Sequence, residues 1–159
     1  MPEITIASKT HGICIIYFDP EDADLVAQRS WYITKRHQTF YAATHGRTPD
    51  NKKTIMYMHK LIATYAIVDH RNGNGLDNRR ENLREATRHG NGQNRRKHIR
   101  ATSQYKGVCW NKHDKRWRAQ ITLEGKNIYL GGYKDETEAA LAYDTAALKH
   151  YGLYARTNF

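Results

Sequence analysis

Asp69 and His70 stand side by side in Val68-Asp69-His70, and two asparagines follow, Asn82 twelve residues after His70 and Asn91 twenty-one after. These residue types suit one kind of chemistry. A histidine with an ordinary pKa of about 6.5 can take a proton from water near neutral pH. A carboxylate and an amide oxygen are hard ligands, suited to Mg2+ or Mn2+ rather than to Zn2+ in a thiolate cage. Phosphodiester hydrolysis needs both parts, an activated water and a cation that neutralises charge at the phosphate and leaving oxygen. A bare Asp-His pair would read as turn residues and a surface histidine. The spaced asparagines and the basic stretch behind them set this pair apart.

The charge pattern points the same way. The chain has 159 residues and a formal net charge of +10. Residues 1–53 hold seven Lys/Arg against six acids, 54–100 ten against four, and 101–159 nine against six. Between Thr87 and Arg100 the basic residues Arg88, Arg95, Arg96, Lys97 and Arg100 meet no acid, which suits contact with phosphates. With 11% aromatic and 39% hydrophobic residues the chain is not disordered in composition. Cys14 and Cys109 lie far apart, so neither a disulfide framework nor a cysteine zinc site is indicated. No apolar run is long enough to span a bilayer, and Glu3 and Lys9 interrupt the first ten residues, unlike a signal peptide. The expectation is a soluble intracellular protein with an anionic partner and no membrane association.

The elements that must position these residues are short. Ile13 to Phe18 reads as a strand, and Asp19-Pro20-Glu21-Asp22 as a helix start with Asp at the N-cap and Pro at the first helical position. Trp31 to Thr34 is a β-rich run, and Thr39 to Thr44 pairs with Thr54 to Met58 around a polar turn. Lys35, Arg36 and Arg47 offer auxiliary DNA contacts. His59 to Thr64 is a short helix or turn. His59 reads as readily as packing as it does as a phosphate contact, and is not placed among the catalytic residues. Ile67 to His70 and Leu83 to Ala86 are strands flanking the loop Asn72-Gly73-Asn74-Gly75, and Thr87 caps a helix running to about Lys97. After a linker, three strands (Tyr105 to Trp110, Arg116 to Leu123, Asn127 to Gly131) precede a helix from Glu136 to Lys149, capped by Asp135 and stopped at Gly152.

His59-Lys60-Leu61, Val68-Asp69-His70, Asn72 to Gly75, Asn78, Glu81-Asn82-Leu83-Arg84 and Asn91 together resemble the HNH endonuclease family, most closely its phage-type homing branch, in which the two asparagines follow the histidine at the same spacings. The resemblance implies a ββα-metal core around one divalent cation, Mg2+ or Mn2+. It implies that His70 is the general base, that Asn82 orients His70, and that Asp69 and Asn91 hold the metal.

Tyr105-Lys106-Gly107-Val108, Trp117 to Ile121, Tyr129-Leu130-Gly131, Glu138-Ala139-Ala140, Ala142-Tyr143-Asp144, Ala146-Ala147 and Asn158-Phe159 resemble the DNA-binding domain of the plant APETALA2/ethylene-response-factor family, which also occurs fused to HNH nucleases. In that family the sheet enters the major groove. Strand alternation turns Ala119, Ile121, Leu123, Ile128 and Leu130 toward the helix and Arg118, Gln120, Thr122, Asn127 and Tyr129 outward. Lys106 and Asn111 also fall where the plant domains place contacts. Cys109, and other positions where those domains carry Arg, imply a recognition site unlike their GC-rich one.

The expectation is therefore an α+β chain. A β-rich scaffold (1–53) is followed by an HNH ββα-metal core (54–97), a linker (98–103) and an APETALA2-like domain (104–159). Its function is metal-dependent cleavage of double-stranded DNA in a phage or prophage, acting in the cytoplasm of an infected bacterium. One site per chain nicks as a monomer, or cuts both strands through a homodimer or successive nicks. The alternative is a regulator that binds DNA without cutting, using the nuclease fold as a phosphate clamp.

Overall fold

The computed structural model describes residues 2–36, 38–87, 90, 93–94 and 102–159. Contacts divide the chain into two units, 1–88 and 89–159. The expected linker and the basic run, with Arg88, Arg95, Arg96, Lys97 and Arg100, lie largely outside the described residues, as does the helix expected from Arg88 to Lys97.

In the first unit, β1 (Glu3–Ser8) and β2 (Gly12–Tyr17) form an antiparallel hairpin with Ser8 opposite Gly12. The sequence reading had no β1. Asp19 precedes a 3-10 turn (Pro20–Asp22) and α1 (Ala23–Ala27). The Asp19 side chain does not cap that turn as expected, because its carboxylate accepts the Arg80 backbone N–H at 2.7 Å instead. A three-stranded sheet follows, β3 (Tyr32–Arg36), β4 (Thr39–Arg47) and β5 (Lys53–Tyr57), with β4 central. Helix α2 (Met58–Ile62) leads to a small hairpin of β6 (Val68–His70) and β7 (Leu83–Glu85), in which His70 pairs with Leu83.

The expected boundary at 53/54 has no counterpart. Ile16, Phe18, Val26, Ile33 and Ala42 pack in one core with Met58, Ile62, Val68, Leu76 and Leu83. The strands run from three to nine residues and each buries at most two apolar side chains, so the two segments close one core together. Polar links reinforce this union. Arg80 reaches Asp22 and Glu21, and the loop between β6 and β7 bonds β2 through Asn78 N to Tyr17 O (2.8 Å) and Tyr17 N to Leu76 O (2.9 Å).

The second unit is a three-stranded antiparallel sheet, β8 (Val108–Asn111), β9 (Arg116–Leu123) and β10 (Lys126–Tyr133), with β9 central, covered by α3 (Glu136–Tyr151). Asp135 caps α3, accepting from Thr137 N and Glu138 N. Ala139, Ala140, Tyr143 and Ala147 bury the helix against Val108, Ala119 and Ile121, small residues that let helix and sheet approach closely. Gly107 marks that approach: its φ is +76°, and a Cβ there would lie 1.9 Å from the Tyr143 ring. A bulge places Leu130 between the pairs Tyr129–Gln120 and Gly131–Ala119. Ile128 pairs with Ile121 on the helix side but stays 41% exposed, so its expected burial is only partial.

The architecture is thus α+β, with several small antiparallel sheets and a C-terminal three-stranded sheet packed on one helix. No helix among the described residues is long and apolar enough to cross a membrane.

Candidate active site and nucleic-acid interface

The site begins with β6, whose three residues are all buried. Asp69 receives a two-pronged contact from Arg84 on β7, Nε at 2.9 Å and Nη2 at 2.6 Å from Oδ2. The register that pairs Asp69 with Arg84 across the hairpin brings them together. His70 lies among rings. His59 of α2 stands edge-on to it with centroids 4.9 Å apart, and Tyr41 of β4 lies 5.8 Å away. Tyr57 stacks on His59 at 5.6 Å. Burial lowers the pKa of His70, against the raising influence of Asn78, Asp69 and Asp77. A lowered pKa keeps the imidazole neutral at physiological pH, as a base must be.

His59, which is outside the expected catalytic set, is placed by the fold against His70. It is 7% exposed, its Nδ1 is buried with no hydrogen-bond partner among the described residues, and burial, with His70 and Lys60 adding to it, takes its pKa down to about 3. The available signal was its place on α2 next to Met58 and Ile62, both core residues.

Asn82, expected to orient His70, makes its hydrogen bonds to the loop backbone rather than to the ring. Its Oδ1 accepts from Asn72 N (3.0 Å) and its Nδ2 donates to Asp77 O (2.7 Å), so it ties the two sides of the loop together. The physical reason is position. Asn82 closes the return of the loop before β7, where unpaired backbone groups demand partners. The amide that meets His70 is Asn78, whose Oδ1 lies 3.5 Å from Nε2. The loop is further braced by Arg79 on Asp77 (2.7 Å) and by Gly75, where a Cβ would meet Phe40 O at 2.4 Å.

Asn91, the other expected metal ligand, lies outside the described residues. Among the described residues no group of three or more His, Cys, Asp or Glu stands close enough to hold a metal. Of the expected metal ligands only Asp69 is among the described residues, a buried hard carboxylate next to His70 with Arg84 engaged at Oδ2.

In the second unit the register sorts the expected contacts. Arg118, Gln120 and Thr122 on β9 share the outward face with Tyr129 and Asn127 on β10, through the pairs Gln120–Tyr129 and Thr122–Asn127. Tyr129 is 61% exposed, and Arg118 lies 5.7 Å over its ring while holding Asp114 at 2.8 Å. Thr122 Oγ1 donates to Asn127 Oδ1 at 2.6 Å. Donors, acceptors and an aromatic plane are therefore presented together. Asn111 serves the β8–β9 turn, bonding Asp114 through Nδ2 and accepting His113 N at 3.1 Å. Lys106 is half-buried. Its Nζ donates to Gln93 O, lies 5.9 Å over the Tyr143 ring, and lines a cavity of about 200 Å³ with Gln120, Thr122 and Tyr151. Burial takes its pKa down to about 8, with Arg156 adding to the shift. The side chain is thus half-buried and already engaged, beside Gln120 and Thr122 of the outward row.

Comparisons with known proteins match two segments of the chain. Residues 34–93 match a family model described as HNH endonuclease, and 103–153 match one described as AP2 domain. Curated relatives include an AP2-like ethylene-responsive transcription factor of Arabidopsis thaliana, 47% identical over 62 residues, which are 38% of this chain and 18% of the relative. They also include the ethylene-responsive transcription factor WRI1 of the same plant, 45% identical over 62 residues (38% and 14%). A third is APETALA2-like protein 2 of Oryza sativa subsp. indica, 47% identical over 58 residues (36% and 13%). The chain thus spans less than a fifth of the length of these relatives. The HNH match points to a nuclease and the AP2 match to DNA binding. This chain joins an HNH endonuclease domain, matched over 34–93, to a C-terminal AP2 domain, matched over 103–153.

Proposed function

We propose that the protein is a metal-dependent endonuclease that hydrolyses phosphodiester bonds in double-stranded DNA, of the phage homing type. The observation that carries this reading is the adjacency of buried Asp69 and His70 on β6, with the ring held neutral by burial. His70 accepts the proton of the attacking water. Asp69 and Asn91 would hold one divalent cation, Mg2+ or Mn2+, which when bound supplies charge neutralisation at the phosphate. The outward row on β9 and β10 reads or grips the duplex, and the basic run Arg88 to Arg100 adds phosphate contacts. One site per chain nicks duplex DNA, or cuts both strands as a homodimer or by successive nicks. The setting is the cytoplasm of a phage-infected bacterium. The test is relaxation of supercoiled plasmid by the purified chain with Mg2+ or Mn2+, abolished by EDTA. No relaxation with either ion would contradict the reading.

One observation favours a second reading, a DNA-binding regulator that does not cut. Arg84 forks onto the Asp69 carboxylate that would serve the metal, and the AP2 relatives are transcription factors. Plasmid that is bound and shifted but never cut, whatever the ion, would select this alternative.

A further inference from the structure

Asn78 is 0% exposed, and both its side-chain nitrogen and its side-chain oxygen have partners. Its Nδ2 donates to Leu76 O at 3.2 Å, and its backbone N–H donates to Tyr17 O at 2.8 Å. These bonds fix which way the amide faces. With Nδ2 turned to a carbonyl, the atom turned to His70 Nε2 is the oxygen, at 3.5 Å. A carboxamide oxygen can only accept, so the imidazole nitrogen facing it must carry the proton. The His70 ring is meanwhile packed against His59 and Tyr41, with centroids 4.9 Å and 5.8 Å away, which resist a ring flip that would carry Nε2 away from Asn78.

We propose that Asn78, and not Asn82, is the positioning residue of His70: its amide oxygen holds the ring in the Nε2–H tautomer and makes Nδ1 the atom that takes the proton from water. This rests on the reading of His70 as the base. In the step, the water proton passes to Nδ1 and the water oxygen bonds to phosphorus. The bond from phosphorus to the leaving oxygen breaks with its electron pair on that oxygen, which then takes a proton from solvent. The resulting imidazolium keeps its Nε2–H on Asn78, which stabilises the charge as it forms.

The test is the tautomer itself. The full chain is labelled with nitrogen-15 histidine, and His70 is read in long-range proton–nitrogen correlation spectra, assigned by its absence in His70→Gln. Wild type should show a single Nε2–H form. Asn78→Asp, which keeps an acceptor, should preserve it. Asn78→Leu should mix the two tautomers and lower kcat on plasmid roughly 10- to 100-fold at unchanged KM. A wild-type His70 protonated on Nδ1 would overturn the proposal, as would a kcat loss in Asn78→Leu without any tautomer change. If the Leu variant fails to fold, the wild-type and Asp spectra decide. Failure of the nuclease reading would be seen separately, as full cleavage by His70→Ala, whatever the spectra show.

Discussion

The imidazole of His59 meets that of His70 at an interplanar angle of 78°, two histidines from different elements packed as a core pair. α2 supplies one and β6 the other, and Tyr57 and Tyr41 complete the enclosure. A histidine so enclosed is costly to charge, and the first prediction follows from that.

Burial puts the folded-state pKa of His59 at about 3, below the ordinary 6.5. As pH falls below about 6.5 the unfolded chain takes up a proton that the folded chain refuses, so stability is present above that pH and is lost progressively toward pH 3. Urea midpoints should fall between pH 7 and pH 4, and His59→Phe should flatten that part of the slope. Equal slopes for wild type and variant would contradict the burial of a neutral His59.

Arg84 and Asp69 form a pair in which both side chains are largely shielded from solvent. Removing one member of a buried pair costs about 3–5 kcal/mol. Arg84→Met should lower the stability of the first unit by that order, whereas Arg84→Lys should recover only part of it because it loses the fork. Denaturant titration of the three proteins is the check, and a loss below about 1 kcal/mol in Arg84→Met would show the pair to be solvent-screened.

Much of this was legible beforehand. The β9 and β10 strands and α3 could be read from period-two alternation, a capping Asp135 and a terminal Gly152, because each signal is local and independent of the rest of the fold. Two features were not legible. The union of the first 53 residues with the nuclease segment depends on side chains far apart in sequence, such as Ile16 with Met58 and Arg80 with Asp22. The exchange of Asn82 for Asn78 at the histidine depends on how a twelve-residue loop folds back, and spacing alone does not choose between two asparagines four residues apart. The missed β1 did carry a signal, with Ile4 and Ile6 alternating with polar residues.

Gly107 should be intolerant of any side chain. A Cβ would combine a left-handed backbone with a clash against Tyr143. Gly107→Ala is expected to destabilise the second unit by about 3 kcal/mol or more. Its melting transition should move down while that of the first unit stays in place. An unshifted transition would contradict the close helix–sheet approach.

The placement of Lys106 predicts a contrast in DNA binding. Arg118→Ala and Tyr129→Ala, which remove outward groups, should weaken duplex affinity, the first with a shallower salt dependence. Lys106→Met, which removes a half-buried group already donating to Gln93 O, should leave affinity within about twofold. Because Lys106 has a folded-state pKa of about 8 against 10.5 ordinarily, the second unit should gain stability as pH rises from about 8 to 10.5, and Lys106→Met should lose that gain. Fluorescence anisotropy on one duplex at several salt concentrations, with thermal melts at pH 7.5 and pH 10, separates the two kinds of residue. Loss of affinity in Lys106→Met equal to that in Arg118→Ala would contradict the engagement of Lys106 within the fold.

The central claim is that His70 activates water for attack on a DNA phosphate. The direct measurement is the rate at which supercoiled plasmid is nicked, with Mn2+ or Mg2+ present, by wild type and by His70→Ala at matched folded fraction. The account predicts measurable nicking by wild type and a loss of roughly 100-fold or more in the variant, the order attributed to a general base. Equal rates in the two proteins would contradict it.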